Sequence, residues 1–455
     1  MTSPLQTTMF NGVSDFYNGV VSTSARFDNS SSSYLNRTVS AGNRKTWTLS
    51  FWFKRTELGA AVRLFEAWDG STGTSALFTD ADLFILDLTA GGNYFTSTAV
   101  FRDTSAWSHF VIRVDTTQGT ASERARVYVN GSELAGSWNS NIGQNTDLTW
   151  NKDVVHYLGV FHNTGNFANG YYAEVINVDG TSLAPTAFGE TDSDTGIWIP
   201  KNASVTYGTN GFKLEFKTSG GLGADTSGNG HTWTLNNISA ADQATDTPTN
   251  NFCTWSPLWT FSKARTLSEG GTKATGSGTW AGCKGSIGVT SGKWYWENKA
   301  AGNDTIVGWQ TENCVHESNE ESMHNIKDTI AFYEGGNNIW IRDDTSGRTD
   351  TSCSGTHANG QVVGLALDLD SSPQTATFYR NGSAIASDVN IDGLTGKTIF
   401  PFMSQYNQNA ESNFGGFCTY TISSAATDEN GYGTFEYAPP SGYYAICTKN
   451  LAEYG

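Results

Sequence analysis

The sequence predicts an all-β protein made of two β-sandwiches in tandem. Three observations predict it. An alternating strand runs into Asn-Gly twice, as Arg126-Val-Tyr-Val-Asn130-Gly131-Ser132 and as Thr377-Phe-Tyr-Arg-Asn381-Gly382-Ser383. Asn-Gly suits a type I′ hairpin, because both central residues of that turn need positive φ. Each hairpin follows a period-2 strand that ends at an Asp, Phe110-Val-Ile-Arg-Val114-Asp115 and Val363-Gly-Leu-Ala-Leu367-Asp368. Such alternation marks a sheet with one dry face. Finally, Gly, Ser, Thr, Asn and Asp cluster between the apolar alternations, the texture of short strands joined by turns.

Charge narrows the function classes. The net charge is −17, and no Lys/Arg run exceeds two residues, so a nucleic-acid partner is not expected. No window is apolar over a membrane-spanning length, so membrane insertion is not expected either. The polar start, Met1-Thr-Ser-Pro-Leu-Gln, carries no signal-peptide pattern, so synthesis in a cytoplasm is expected. All six Cys lie after residue 250 with no short spacing, which reads as buried thiols rather than a disulfide framework.

Residues 1–24 are polar with isolated aromatics and read as an N-terminal docking segment or as coil packed on the first domain. Strands begin at Ala25. Trp47-Thr-Leu-Ser-Phe-Trp-Phe53 puts Trp47, Leu49, Phe51 and Phe53 on one face and Trp52 on the other. Val62-Arg-Leu-Phe-Glu-Ala67, Leu83–Leu88, Trp107–Val114, the first hairpin, His156–Phe161 and Tyr171–Val178 follow. The segments WTLSFWFKR, WSHFVIRVD, ARVYVNGSELA, YLGVF and GYYAEVINVDG stand in this order. Together they resemble a concanavalin A-like, laminin-G/pentraxin-type jelly roll over residues 25–245. His109 of Trp-Ser-His fits that pattern and is expected to be a satisfied sheet histidine. In Gly220–Leu235, the D-x-S-G-N-G run is similar to a laminin-G loop. Its Asp225 and Asn229 are candidate Ca²⁺ ligands or turn-capping residues; otherwise no cofactor is expected. Residues 240–251 are polar and lack alternation, which places the domain boundary here, with 246–254 as linker.

The second block carries SGKWYWE, VGW, GQVVGLALDLD, ATFYRNGSAI, IFPFMS and SNFG in order. It resembles a SPRY sandwich over residues 255–425, departing from that pattern after Phe414-Gly415-Gly416. SPRY domains bind peptides or proteins through edge loops, and the fold does not fix the ligand. Residues 426–455 read as a turn, a Pro-Pro break and a strand. The junction at 246–252 and the ending at 429–451, with ENGYG, PPSGY and CTKNL, resemble virion proteins of marine tailed bacteriophages. That resemblance implies a virion-surface location and other virion proteins as partners. It also implies a host-surface glycan or protein as ligand, and a homo-trimeric appendage.

No catalytic constellation is found. A glucanase on this fold needs two carboxylates facing each other on one strand face, and Glu-x-Asp-x-Glu is missing. Gly-x-Ser-x-Gly, P-loop and His-Glu-x-x-His patterns are also missing. The acidic run Glu312–His324, with Cys314, His316 and His324, is a transition-metal candidate whose ordinary reading is a solvated loop. For glycan binding the candidates are loop aromatics beside Asn, because sugar rings stack on aromatic faces and amides read hydroxyls. They are His162, Asn163, Asn166, Phe167 and Tyr171 in one loop and Tyr406, Asn407 and Asn409 in another; Trp68-Asp69-Gly70 and Trp138-Asn139 are weaker. The expected function is non-enzymatic attachment by weak, multivalent binding, as in a tail fibre. The alternatives are a capsid decoration or tail component holding neighbouring subunits, and a glycan hydrolase.

Overall fold

A computed structural model describes residues 18–218, 221–259, 265–276, 278–300, 302, 304–312, 327–342 and 349–455. The chain forms two compact units, residues 1–250 and 251–455. Both are β-sandwiches, so the all-β tandem architecture holds.

In the first unit one antiparallel sheet runs in the order Ser132–Glu133, Ala125–Val129, Ser108–Asp115, Thr46–Arg55, Gly170–Asp179, Ser24–Phe27, Gln243–Ala244. The facing sheet runs Gly136–Trp138, Tyr94–Val100, Leu83–Asp87, Gly73–Phe78, Val62–Trp68, Val155–Leu158, Tyr34–Thr38, Thr234–Asn236. Trp47, Leu49, Phe51 and Phe53 enter the shared core with Phe65, Phe110 and Trp150, as their period-2 spacing requires. Trp52 faces the other way and stacks on His109, ring centroids 4.6 Å apart. His109 is fully satisfied: Trp198 Nε1 donates to its Nδ1 at 2.9 Å, and Nε2 lies 2.8 Å from Ser50 Oγ. Burial lowers its pKa to about 3, so it is a neutral sheet histidine.

Side chains hold the segment before the unit boundary. Asp246 accepts from Lys54 Nζ at 2.7 Å and Trp107 Nε1 at 2.9 Å, and its carbonyl accepts from Ser24 Oγ. The Val21 carbonyl accepts from Thr249 Oγ1 in the same segment, and Asn18 Nδ2 donates to Pro200 O at 2.7 Å.

The second unit pairs one sheet, Thr266–Ser268, Lys273–Thr275, Asn409–Asn413, Lys293–Ala300, Val362–Asp368, Thr375–Arg380, Ser383–Asn390, with another, Ala281–Lys284, Ile399–Gln405, Thr305–Thr311, Thr329–Tyr333, Asn338–Arg342, Thr349–Ser352. Trp255, Trp294, Trp296, Trp309 and Phe414 fill its core. The tail differs from a simple turn and strand. After a short strand, Tyr444–Ala445, it ends in an α-helix, Thr448–Tyr454. The cause is tertiary: Leu451 and Tyr454 pack on the core, and buried Asn450 donates to Asp428 Oδ2 at 2.8 Å. Among the described residues no two cysteines are joined, and no helix is long and apolar enough to cross a membrane.

Candidate functional site

The site forms on the outer face of the second sheet of the first unit. Its origin is a β-bulge. Pairing between Val62–Trp68 and Gly73–Phe78 shifts register between Arg63 and Phe65. Val62, Leu64, Phe65 and Ala67 therefore all enter the core, and Arg63, Glu66 and Trp68 turn outward. Glu66 pairs with Ser75, and Ser75 with Asp87, so these three side chains form a polar row across three strands. Asp87 then builds one wall. Its carboxylate accepts from Thr89 N at 3.1 Å and Gly91 N at 2.7 Å, fixing the turn through Ala90 and Gly91.

The opposite wall is the loop after Val155–Leu158. Gly159 N donates to Leu64 O at 3.0 Å, and Arg63 N donates to Asn166 O at 2.7 Å, which fastens the loop to the Val62–Trp68 strand. Phe161 and His162 hang over the face with rings stacked 3.9 Å apart, and His162 lies 4.4 Å from Trp68. His162 N donates to Glu66 Oε2 at 2.7 Å, and its Nε2 lies 3.1 Å from Glu66 Oε1. Arg63 packs over the Phe161 ring at 4.6 Å and donates from Nη1 to Ser75 Oγ at 2.6 Å. Arg63, Glu66, Trp68, Ser75, Asp87 and His162 line a pocket of about 330 Å³.

Burial pushes the Glu66 carboxyl up to about 7, against the pull of Arg63 and the His162 N–H. Burial, helped by Arg63, lowers His162 below its ordinary value. The pocket thus offers aromatic faces, a hydroxyl, a guanidinium and two carboxyl groups. That is the make-up of a site for a small polar ligand with apolar faces.

Of the residues marked in sequence, His162 lines the pocket. Asn163 and Asn166 are exposed at positive φ (57° and 49°) and shape the loop. Phe167 leans on Tyr34, 6.2 Å between centroids. Tyr171 lies elsewhere: the Gly170–Asp179 strand has begun, and the ring is fully buried 6.3 Å from Trp107. In the second unit Tyr406 is 37% exposed, and its ring lies 6.1 Å from Trp280. Trp280 lies 6.2 Å from Tyr333, and Tyr333 4.7 Å from Trp340, a row of rings that sequence did not assemble. Asn407 and Asn409 are exposed beside it. Asp225 accepts from Lys213 N, Ser227 N, Ser227 Oγ and His231 N, each at 2.8–2.9 Å, and Asn229 Nδ2 donates to the Gly208 and Gly211 carbonyls. Both side chains thus build the turn. The acidic run after Glu312, with Cys314, His316 and His324, lies outside the described residues.

Arg63, Glu66, Ser75 and Asp87 were missed, and Trp68 stood only as a weaker candidate. One signal was present: adjacent Leu64-Phe65 between two charges breaks the alternation and marks the bulge.

Residues 27–181, which hold every wall of the pocket, match a family model described as the concanavalin A-like lectin/glucanases superfamily. The matched residues all lie in the first unit. Solved structures similar to the chain include the SPRY domain of human HERC1, at 19% identity, covering 33% of this chain and 92% of that one, with a TM-score of 0.27. A human SPRY domain has 14% identity, 33% and 94% coverage and a TM-score of 0.24. The heptameric SAP-like pentraxin of Limulus polyphemus has 16% identity, 36% and 78% coverage and a TM-score of 0.28. Comparison with curated proteins gave no match.

Proposed function

We propose that this protein attaches to host-surface glycan, without catalysis, through the pocket of its concanavalin A-like unit. We also propose that it does so on the virion surface of a tailed phage. The observation carrying the glycan reading is the pairing of the Trp68 and His162 rings with the Glu66–Ser75–Asp87 row. Rings stack on sugar C–H faces while the polar row meets hydroxyls. The virion location is supported by the resemblance of residues 246–252 and 429–451 to phage virion proteins. Against catalysis, Asp87 is committed to the backbone of its own turn, which leaves Glu66 without a second free carboxylate across the pocket. Display of several copies, as in a trimer, turns weak sites into avid attachment.

A second reading, a virion component that holds neighbouring subunits, is favoured by the partly exposed ring row from Tyr406 to Trp340. A glycan array probed with the full chain tests the first reading. Binding is expected, with a loss of roughly tenfold or more in Trp68→Ala. A silent array overturns it, and release of cleaved sugar by the wild-type chain overturns the non-enzymatic part.

A further inference from the structure

The first unit buries three arginines, and it treats one of them differently. Arg26 pairs with Asp242, and Arg55 pairs with Asp82 at 3.0 Å. Arg63 is just as buried, at 9% exposure, yet it makes no ion pair among the described residues. Glu66 and Asp87 act on it electrostatically without touching it: the Glu66 carboxyl meets the His162 loop, and the Asp87 carboxyl meets the turn at Thr89 and Gly91. The Arg63 guanidinium donates once, to Ser75 Oγ, and its Nε has no partner. A buried charge without a counter-ion is costly, so folds pair it or neutralise it. A lysine would lose its proton there; a guanidinium keeps its charge. Here a guanidinium with no direct ion-pair contact lines an open pocket walled by Trp68 and His162 and shared with Glu66 and Asp87.

We propose that the pocket selects an anionic saccharide, whose carboxylate or sulfate ester seats on Arg63 while its ring stacks against Trp68. This rests on the glycan-binding reading. Arg suits the role because its planar fork meets a carboxylate or sulfate with two parallel hydrogen bonds. Phe161 packs against the guanidinium at 4.6 Å, and Ser75 accepts from its Nη1, so the group is held in place before the ligand arrives.

The test is calorimetric titration of the full chain with three oligosaccharides of equal length: uronic, sulfated and neutral. An acidic sugar should bind roughly tenfold or more tightly than the neutral one, the size of a charge-assisted hydrogen bond. The better of the two acidic arms then identifies the anion. In Arg63→Met the preference should vanish, and Arg63→Lys, which keeps charge without the fork, should recover only part of it. Equal binding of neutral and acidic sugars by the wild type overturns the inference and leaves the glycan reading standing. So does an acidic preference that survives in folded Arg63→Met. Binding of none of the three overturns both.

Discussion

Tyr420 donates its phenolic hydrogen bond to Glu297 Oε2 at 2.9 Å, joining the irregular segment after residue 415 to the central strand of the second unit. Glu297 accepts four more: from Asn413 Nδ2 at 3.2 Å, Glu436 N at 2.9 Å, Tyr295 Oη at 3.2 Å and Tyr437 N at 2.8 Å. The last residue of the SGKWYWE segment is thus a buried acceptor that five donors converge on.

Glu297→Gln is therefore expected to cost more than an ordinary isostere, about 2–4 kcal/mol, because an amide nitrogen would face donors. Tyr420→Phe should cost about 1 kcal/mol. Urea denaturation of the full chain measures both, and hydrogen exchange at Glu436 and Tyr437 should quicken in Glu297→Gln. A change within 0.5 kcal/mol (roughly the span of neutral surface substitutions) would show that the five bonds do not act together.

The two Asn-Gly turns share a second device. Asn130 has φ 48° and Gly131 φ 79°; Asn381 has φ 46° and Gly382 φ 75°. Each Asn clasps the neighbouring strand twice. Asn130 N donates to His109 O, and its Oδ1 accepts from His109 N at 2.8 Å; Asn381 does the same with Val362 O and Val362 N. A Cβ on Gly131 would strike Trp198, and one on Gly382 would strike Tyr437. Asn130→Ala and Asn381→Ala are expected to lose about 1–2 kcal/mol each, and the Gly→Ala changes more. Glycan affinity of the folded variants should stay at the wild-type value, which equilibrium binding below the melting range checks.

Lys54 and Asp246 form an ion pair with side chains 0% and 1% exposed. Removing one partner strands a buried charge. Asp246→Ala or Lys54→Met alone should cost about 3–5 kcal/mol, whereas Lys54→Met with Asp246→Leu should recover much of it. Trp107 loses its acceptor in both Asp246 variants, so recovery should be incomplete. A double-mutant cycle on thermal unfolding reads the coupling, and strictly additive losses would contradict it.

The fold was legible where side-chain period and turn chemistry agree. Trp47, Leu49 and Phe51 gave their own face, and Asn130 and Asn381 gave their own turns. The pocket was less legible, because it depends on register. Glu66, Ser75 and Asp87 meet through two strand pairings, and no single segment encodes that row. His162 was found because loops advertise aromatics beside Asn. Tyr171 was misplaced for a related reason: a loop's polar composition runs up to residue 169, and only pairing with Lys54 and Arg26 shows that the strand has started. The C-terminal helix depended on Asn450 meeting Asp428, a contact 22 residues apart in sequence.

Glu66 makes the stability of the first unit depend on pH. Its ordinary pKa of 4.5 rises to about 7 on folding, chiefly through burial. Between those values the folded state holds a proton that the unfolded state has released. Stability from this group is therefore complete below about 4.5, falls as pH rises through the window, and is lost above about 7. The loss is on the order of 3 kcal/mol. His162 works in the opposite direction, since its lowered pKa favours the neutral ring and adds stability as pH rises through its ordinary value near 6.5. The two are separated by Glu66→Gln, which keeps the acceptor for His162 N and removes the titration. Urea midpoints at pH 5 and pH 8 should drop more in wild type than in Glu66→Gln, and the difference should vanish when both are compared at pH 4. Parallel curves at all three values would mean that Glu66 is charged and solvated in the folded protein, which its burial beneath His162 argues against.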